Sequence, residues 1–197
     1  MNEDKKSGKN ELPVLFFETS GELRTWLETN HTDSSGIWLK FYKKNSGILS
    51  INYDIALDEA LCFGWIDGQT KRIDSESYLQ KFTPRRARSI WSKRNIEHIK
   101  RLEKEGRMKS SGIKEFEAAK TDGRLDRSYD SPSNMIIPAD LIDELSKDSK
   151  TAEFFNKLSR ANKYAITWRL QTAKKPETRE KRMKSIIEML SQGKKFH

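Results

Sequence analysis

The sequence predicts an α+β fold, in which an antiparallel sheet with flanking helices is followed by a small C-terminal helical unit. Apolar and aromatic residues alternate at period two in "GIWLKFYKK", which begins at Gly36. Two further extended segments, "WIDGQTKRID" and "SYLQKFTPR", follow each other along the chain and can pair antiparallel. Beyond residue 135 the apolar residues recur at helical spacing instead. Alternation is typical of strands, and spacings of three and four are typical of helices.

The N-terminal part begins with a charged stretch, for which we expect a disordered tail over residues 1–15. "ETSGELRTWLETN" (18–30) then predicts a short helix, because Leu23, Trp26 and Leu27 lie on one of its faces. The aromatic and β-branched alternation that follows predicts a strand over 37–42.

A second helix is predicted from Tyr53, where small and apolar residues between 56 and 61 form a buried stripe. Acids are interleaved with this stripe, and we interpret them as a solvated face. They are Asp54, Asp58 and Glu59. Gly64 is a natural end for the helix. Asp67-Gly68 is predicted to form the tight turn of a hairpin.

Two more helices are predicted over 93–105 and 111–121, each with an inward-facing apolar row. These rows are Ile96, Ile99 and Leu102 on the first helix and Ile113, Phe116 and Ala119 on the second. The polar, turn-rich segment 126–135 is the best domain boundary. We therefore expect an α+β domain over 16–128 and a helical unit over 136–197, which is too small to be stable alone and packs on the first domain.

The 197-residue chain carries a net charge of +9, and this charge is unevenly distributed. Residues 1–70 hold 7 Lys+Arg against 11 Asp+Glu, whereas residues 71–130 hold 17 against 10. The stretch from Ser77 to Ile96 contains six basic residues and no acid. Such a cluster indicates an anionic partner, and a protein with an ordinary charged surface is the plainer alternative.

Several classes of function are disfavoured. No apolar run is long enough to span a membrane, and the first residues lack the apolar core of a signal peptide, so we expect a cytoplasmic protein without membrane insertion. The single cysteine, Cys62, lies beside the apolar stripe, which favours a buried thiol over a nucleophile. Zinc-ligand spacings, a phosphate-binding loop and a dinucleotide fingerprint are absent, so we expect no metal and no cofactor.

The strongest constellation for binding is an arginine-rich segment that includes Trp91. Its basic members are Arg85, Arg86, Arg88, Lys93 and Arg94. Arginine binds phosphate or carboxylate through two parallel hydrogen bonds, and tryptophan offers a face for stacking, so the pattern suits a phosphorylated ligand or single-stranded nucleic acid. The alternatives are a solvated loop with Trp91 in the core, and arginines that pair with the acidic helix 54–59.

Asp67 is the weak candidate for catalysis. It lies close to Lys71 and Arg72 in sequence, where a carboxylate can orient a basic group or act as a general base. A turn-forming role for Asp67 is the favoured interpretation. Because no established catalytic motif is present, the sequence favours a protein that is not an enzyme.

Five segments resemble the YdeI/OmpD-associated family, also described as bacteriocin-protection proteins. They are "GIWLKFYKKNSG", "YDIALDEALCFGWIDGQTKRID", "YLQKFTPRRARSIWSKRN", "EGRMKSSGIKEFEAAKTDGR" and "AKKPETREKRMKSIIEML". The resemblance covers nearly everything from about residue 20 onward. It implies a YdhG-like fold for the first domain, a bacterial origin and a stress-related or bacteriocin-protection role, and it brings no reaction, cofactor or catalytic residue.

The resemblance joins "CFGWIDG" to "FTPRRARSIWSKRN", and we predict that both segments meet in one pocket. The predicted ligand-binding residues are Trp65, Asp67, Lys71, Arg85, Arg86, Trp91, Ser92 and Lys93. The arginines and Lys93 would hold an anionic group, the tryptophans would stack on it, and Asp67 would orient a cation or accept a proton.

Four functions are therefore open at this point. The first is an accessory protein that binds an anionic small molecule or polymer through this basic-aromatic site. The second is a nucleic-acid-binding module, and the third is an enzyme of unknown reaction that uses Asp67 with its basic neighbours. The fourth is a role in protein-protein interaction.

Overall fold

The structure is a computed structural model that describes residues 11–196. Its helices and strands, in chain order, are β1 (Val14–Phe16), α1 (Ser20–Asn30), β2 (Ile37–Tyr42), α2 (Tyr53–Cys62), β3 (Trp65–Arg72), β4 (Ser77–Pro84), α3 (Lys93–Lys104), α4 (Ser110–Thr121), α5 (Ala139–Ser146), α6 (Ser149–Lys157), α7 (Arg160–Gln171) and α8 (Pro176–Ser191). The predicted α+β class is confirmed. The predicted disordered tail lies, for residues 1–10, outside the described residues, and β1 occupies part of the remainder.

The chain divides into two compact units. The first consists of the chain up to Ala87 together with His98–Glu117, and it contains the whole sheet. The second consists of Arg88–Glu97 together with the chain from Ala118 onward. The units therefore interleave along the sequence, whereas the domains we expect from composition, 16–128 and 136–197, follow each other.

Within residues 11–196 the sheet has four strands, in the order β1-β2-β4-β3. β3 pairs antiparallel with β4, as the two extended segments predict, and β2 pairs antiparallel with the other edge of β4. The sheet is nevertheless mixed, because β1 pairs parallel with β2, with Val14 opposite Trp38 and Phe16 opposite Lys40. Sequence patterning missed β1 because three residues are too few to show a period.

The turn between β3 and β4 is not at Asp67-Gly68, where we predicted it. Both residues lie inside β3, and the register with β4 shifts between Asp67 and Thr70, which marks a bulge. The chain reverses at Asp74 instead, whose carboxylate accepts the backbone N–H groups of Glu76 at 2.8 Å and Ser77 at 2.6 Å. An aspartate that hydrogen-bonds the backbone ahead of it stabilises a turn as effectively as an Asp-Gly pair.

Helix α2 is buried along most of its length. The Asn52 side chain caps it by accepting the N–H of Ile55, and the chain leaves it through Gly64 at a φ of 76°, as predicted. Every residue from Ala56 to Cys62 is buried. The prediction that Asp58 and Glu59 face solvent is therefore wrong.

Helix α3 buries Ile99 and Leu102, and helix α4 buries Phe116 and Ala119. Ile113, predicted to point inward, is 42% exposed because Gly112 occupies the inner position next to it. A Cβ at Gly112 would overlap the backbone carbonyl oxygen of Cys62. Only glycine allows α4 to lie this close to the end of α2.

In the second unit, α5 to α8 enclose their own apolar core. The buried members are Leu141, Leu145, Phe155, Ile166, Leu170, Ile186 and Leu190. The helical spacing predicted for the C-terminal part is confirmed by these residues.

Replacing Gly112 by Ala should lower the free energy of unfolding by about 1–3 kcal/mol, because the added methyl group must push α4 away from the Cys62 carbonyl. Chemical denaturation monitored by circular dichroism measures the change. Gly21→Ala is the matched control, since its Cβ would meet nothing closer than 3.9 Å inside α1. That variant should be neutral or up to about 1 kcal/mol more stable. Equal effects at the two positions would contradict the close approach.

Candidate functional site

Trp65, the first of the predicted ligand-binding residues, is part of the core. It opens β3, is 1% exposed, and stands edge-on to Trp26 with 5.8 Å between ring centroids. Its indole Nε1 donates to the backbone oxygen of His31 at 3.1 Å. The ring therefore presents no face on which a ligand stacks.

Asp67, Lys71, Arg85 and Arg86 also belong to the first unit. The Asp67 carboxylate accepts a hydrogen bond from the Tyr53 hydroxyl at 2.8 Å. Arg85 is buried, and its backbone N–H donates to the carbonyl oxygen of Gly64 at 3.0 Å. Lys71 and Arg86 are exposed. Of these four side chains, those two are the most exposed to solvent, and Asp67 is half-buried.

Trp91, Ser92 and Lys93 belong to the second unit. Trp91 is 1% exposed, and Ser92 accepts the N–H of Asn95 at 3.1 Å at the start of α3. Lys93 pairs with Asp130 at 2.7 Å. Burial alone would raise the pKa of Asp130, but hydrogen bonds from Lys93 and Gln171 outweigh it and lower that pKa. A single pocket formed by all eight predicted residues stays a prediction.

The acids of α2 are paired with bases that sequence reasoning did not identify. Asp58 accepts hydrogen bonds from His98 Nδ1 at 2.7 Å and from Arg101 Nη2 at 2.6 Å to both carboxylate oxygens. Glu59 accepts from Arg24 at 2.7 Å and from Arg107 at 2.7 Å. One alternative from the sequence is that the acidic helix pairs with the arginines of the 85–94 segment. The partners of Asp58 and Glu59 named above come from other segments instead. These partners are 35 to 48 residues away from the acids.

This ion-pair network has the features of a structural element. Burial alone would lower the pKa of the Arg24 and Arg107 guanidinium groups, but both pKa values are raised, because the hydrogen bonds and charge of Glu59 outweigh it. All four carboxylate oxygens of Asp58 and Glu59 have a partner. A cavity of about 570 Å³ borders the network, and its charged side chains are already engaged with each other.

Cys62 is fully buried at the end of α2, as its position beside the apolar stripe predicts. Burial, with the neighbouring charge of Glu59, raises the pKa of the thiol to about 11. A thiol that stays protonated at neutral pH is a poor nucleophile, so Cys62 contributes packing rather than chemistry.

The sheet carries different residues on its two faces. On the first face Ile37, Leu39 and Phe41 are buried, and contacts from Trp26 of α1 to Trp65 and from Tyr53 of α2 to Asp67 show that these helices lie against it. The second face is at least partly open to solvent at most of its positions. We call the following six residues of that second face the lysine-aromatic face: Phe16, Trp38, Lys40, Tyr42, Lys71 and Lys81.

Strand register places these residues in rows across the sheet. Phe16 lies opposite Lys40, Lys40 opposite Leu79, and Leu79 opposite Lys71, so one row runs through all four strands. With strands about 4.8 Å apart, Lys40 and Lys71 are separated by roughly 10 Å. In the neighbouring row Trp38 lies opposite Lys81.

Lysine ammonium groups and aromatic rings are close together on this face. Lys40 Nζ lies 4.5 Å from the Tyr42 ring centroid and donates to the Tyr42 hydroxyl at 2.8 Å. Lys81 Nζ lies 5.9 Å from the Trp38 ring centroid. Phe16 meets Tyr42 edge-on, with 5.6 Å between centroids. The arrangement offers positive charge and ring surface together, which an anion that carries planar rings requires.

The alternation that predicts β2 is also a sequence signal for this surface. The alternation in "GIWLKFYKK" places Trp38, Lys40 and Tyr42 on one side of β2. Which side the helices cover depends on packing between distant segments, so the alternation alone does not reveal which residues remain accessible.

Among residues 11–196, no three His, Cys, Asp or Glu side chains lie close enough together to hold a metal ion. No helix in the part of the chain that the structure describes is both long and apolar enough to cross a bilayer.

The fold and this surface define an α+β protein with one open, basic-aromatic sheet face and a helical second unit. The chain belongs to the family described as Domain of unknown function (DUF8412), whose model matches residues 15–115, just over half of the chain. Residues 134–193 match the family described as Bacteriocin-protection, YdeI or OmpD-Associated, which supports that resemblance for the C-terminal part. The YdhG-like first domain is not shown, since a different family matches there. No curated protein and no solved structure matches the chain.

Replacing Glu59 by Gln should lower the free energy of unfolding by about 3 kcal/mol, because Arg24 and Arg107 lose the buried charge that compensates them. Both guanidinium groups are partly exposed, which places the effect at the low end for a buried pair. Urea denaturation measures it. Glu153→Gln removes a carboxylate from an exposed pair with Lys157 and should change stability by no more than about 0.5 kcal/mol. A small effect at both positions would show that the network does not stabilise the fold.

Proposed function

We propose that this chain is a binding protein for an anionic polymer, single-stranded nucleic acid, and that the lysine-aromatic face is its binding surface. The observation that carries the proposal is the row arrangement of three lysines among three aromatic rings on an open sheet face. Bases of every kind stack on aromatic side chains, and lysines neutralise the phosphates between them, so such a surface binds nucleic acid with little sequence preference.

A polymer fits this surface better than a small molecule. Small ligands are held in concave sites that enclose most of their surface. The lysine-aromatic face instead lies on an open sheet, from the exposed Val14 beside it on β1 to the exposed Lys71 on β3. An extended chain of nucleotides crosses several strands and contacts both rows at once.

Only the exposed members of the ligand-binding residues predicted from sequence keep a role in this proposal. Arg86 and Lys71 are exposed and suited to phosphate, whereas Trp65 and Trp91 are buried and leave stacking to Trp38 and Tyr42. The ligand-binding role of Arg86 remains part of the proposal.

An enzyme that uses Asp67 is the weaker proposal. The Asp67 carboxylate already accepts a hydrogen bond from Tyr53 and belongs to the side of the sheet against which α2 lies. A general base needs access to the proton it removes. No observation on the described residues favours this reaction over binding.

The description of the C-terminal family names bacteriocin protection. We propose that the chain has an accessory, stress-related role in the bacterial cytoplasm, in which binding rather than catalysis is the activity. What supports this is the resemblance to that family together with the binding surface described above.

The triple variant Lys40→Ala, Lys71→Ala, Lys81→Ala should weaken binding of a fluorescently labelled single-stranded oligonucleotide by about tenfold or more at 0.1 M salt. The slope of log affinity against log salt should also fall by about 2, because each phosphate contact on a single strand contributes about 0.7. Fluorescence anisotropy titrations at several salt concentrations give both quantities.

The matched control is Lys147→Ala, Lys150→Ala, Lys157→Ala, which removes the same charge from α6 and the turn before it. Its salt slope should be unchanged. An equal loss of oligonucleotide affinity in the two triple variants would show that net charge alone attracts the oligonucleotide. That result would contradict a defined binding surface. Absence of binding by the unaltered protein at low salt would remove the proposal.

Stacking is tested separately at Trp38. Trp38→Ala should weaken oligonucleotide binding by roughly 1–3 kcal/mol with the salt slope intact, because the ring contributes contact area rather than charge. Trp38→Phe keeps a ring at the same place and should recover part of the affinity. Melting temperatures of both variants exclude loss of the fold as the cause. Unchanged affinity in the folded Trp38→Ala variant would contradict stacking on this face.

A further inference from the structure

Helix α7 of the second unit carries an unusual combination of side chains along one side. Residues four apart on a helix lie above one another, and two adjacent rows result here. One row is Arg160, Tyr164 and Trp168, and the other is Ala161, Ala165 and Arg169. The two alanines leave space that larger side chains would fill, and the result is a cleft of about 580 Å³.

The walls of this cleft are aromatic. Tyr164 and Trp168 come from α7, and Phe196 follows α8 in the chain. Trp168 is 36% exposed, an unusual degree of exposure for a tryptophan, and it meets Tyr129 edge-on with 6.1 Å between centroids. A volume of this size suits a small molecule, and the ring surfaces suit a planar one.

The charges of the cleft are positive. Arg160 is fixed by donating Nε to the carbonyl oxygen of Pro132 at 3.0 Å and Nη2 to that of Ser133 at 2.7 Å. The Arg169 guanidinium lies 4.9 Å from the centroid of the Phe196 ring. Among the residues that the structure describes, the lining of the cleft includes these two arginines and no Asp or Glu side chain. Burial, with neighbouring Tyr129 and the carboxylate charge of Asp130, raises the pKa of the Tyr164 phenol to about 12, so this hydroxyl remains a hydrogen-bond donor.

We propose that the cleft along α7 binds a small molecule with a planar aromatic body and an acidic group, either a carboxylate or a phosphate. The body lies over the Ala161 and Ala165 floor between the aromatic side chains, and an arginine holds the acidic group at the end of the cleft. This site uses no residue of the lysine-aromatic face, so it stands or falls independently of nucleic-acid binding.

The test uses isothermal titration of the full chain with 2-naphthoate, 2-naphthyl phosphate, neutral 2-naphthalenemethanol and octanoate. We expect an acidic naphthyl probe to bind at least about tenfold more tightly than the neutral one, because a hydrogen bond to a charged group contributes that much. The relative affinity of the two acids shows whether the cleft prefers a carboxylate or a phosphate. Octanoate should bind more weakly than 2-naphthoate because it lacks a ring to stack.

Two variants place the binding in this cleft. Arg169→Gln should reduce the preference for the acidic probes by about tenfold while leaving the neutral probe unchanged. Ala165→Leu should fill the floor and abolish binding of all the naphthyl probes. Lys181→Gln and Ala139→Leu are the controls, since they make the same kinds of change at exposed positions of α8 and α5.

Three results would overturn the proposal: no binding of any naphthyl probe, equal affinity for the acidic and neutral probes, or octanoate binding as tightly as 2-naphthoate. Binding that survives Ala165→Leu in a protein with an unchanged melting temperature would also overturn it, since the probe would then occupy another place. Variants of the lysine-aromatic face should leave naphthoate affinity unchanged.

Discussion

The pairing of the Asp58 and Glu59 carboxylates with bases from distant segments is the interaction on which the first unit depends. Two adjacent charges on the buried part of a helix would be unfavourable in the core without partners. Arg24 brings α1 to α2, His98 and Arg101 bring α3, and Arg107 brings the segment after α3. One site therefore joins three helices.

This pairing has a consequence for the opposite side of the sheet. With α1 and α2 gathered against the residues that alternate with Trp38 and Lys40, the lysine-aromatic face is left accessible. The Gly112 contact with the end of α2 adds to the same packing, because it lets α4 approach the Cys62 carbonyl. The helices that stabilise the first unit and the surface proposed to bind nucleic acid thus lie on opposite faces of the same sheet.

The sequence was informative where structure is determined locally. The strand over 37–42 and the helix end at Gly64 follow from alternation and from glycine, and both are confirmed. The burial of Glu59 was missed because its partners Arg24 and Arg107 lie 35 and 48 residues away, and no local pattern links them. The bulge after Asp67 was missed because an Asp-Gly pair fits a turn equally well, and the turn formed at Asp74 instead.

For the candidate site too, local patterns in the sequence were informative, whereas packing between distant segments was not predictable. Sequence reasoning expected positive charge beside aromatic rings and looked for it where arginines are densest, around Trp91. Lys71 is common to that prediction and to the lysine-aromatic face. By residue type, Trp65 and Trp91 are suitable for stacking on a ligand. Large aromatic side chains also contribute the most apolar area to a core, and both tryptophans are buried there. Trp38 is the more accessible ring because the helices pack on the other face of β2.

The most direct test of the central claim is an NMR titration of the ¹⁵N-labelled full chain with a single-stranded oligonucleotide. Each of the five tryptophans gives one indole N–H signal, and these sample the lysine-aromatic face, the core and the α7 cleft. The proposal predicts that the Trp38 signal shifts, together with backbone amides of β2 and β4, while the Trp65 and Trp91 signals stay in place. Shifts confined to residues 85–93, or no shift at saturating oligonucleotide, would contradict it.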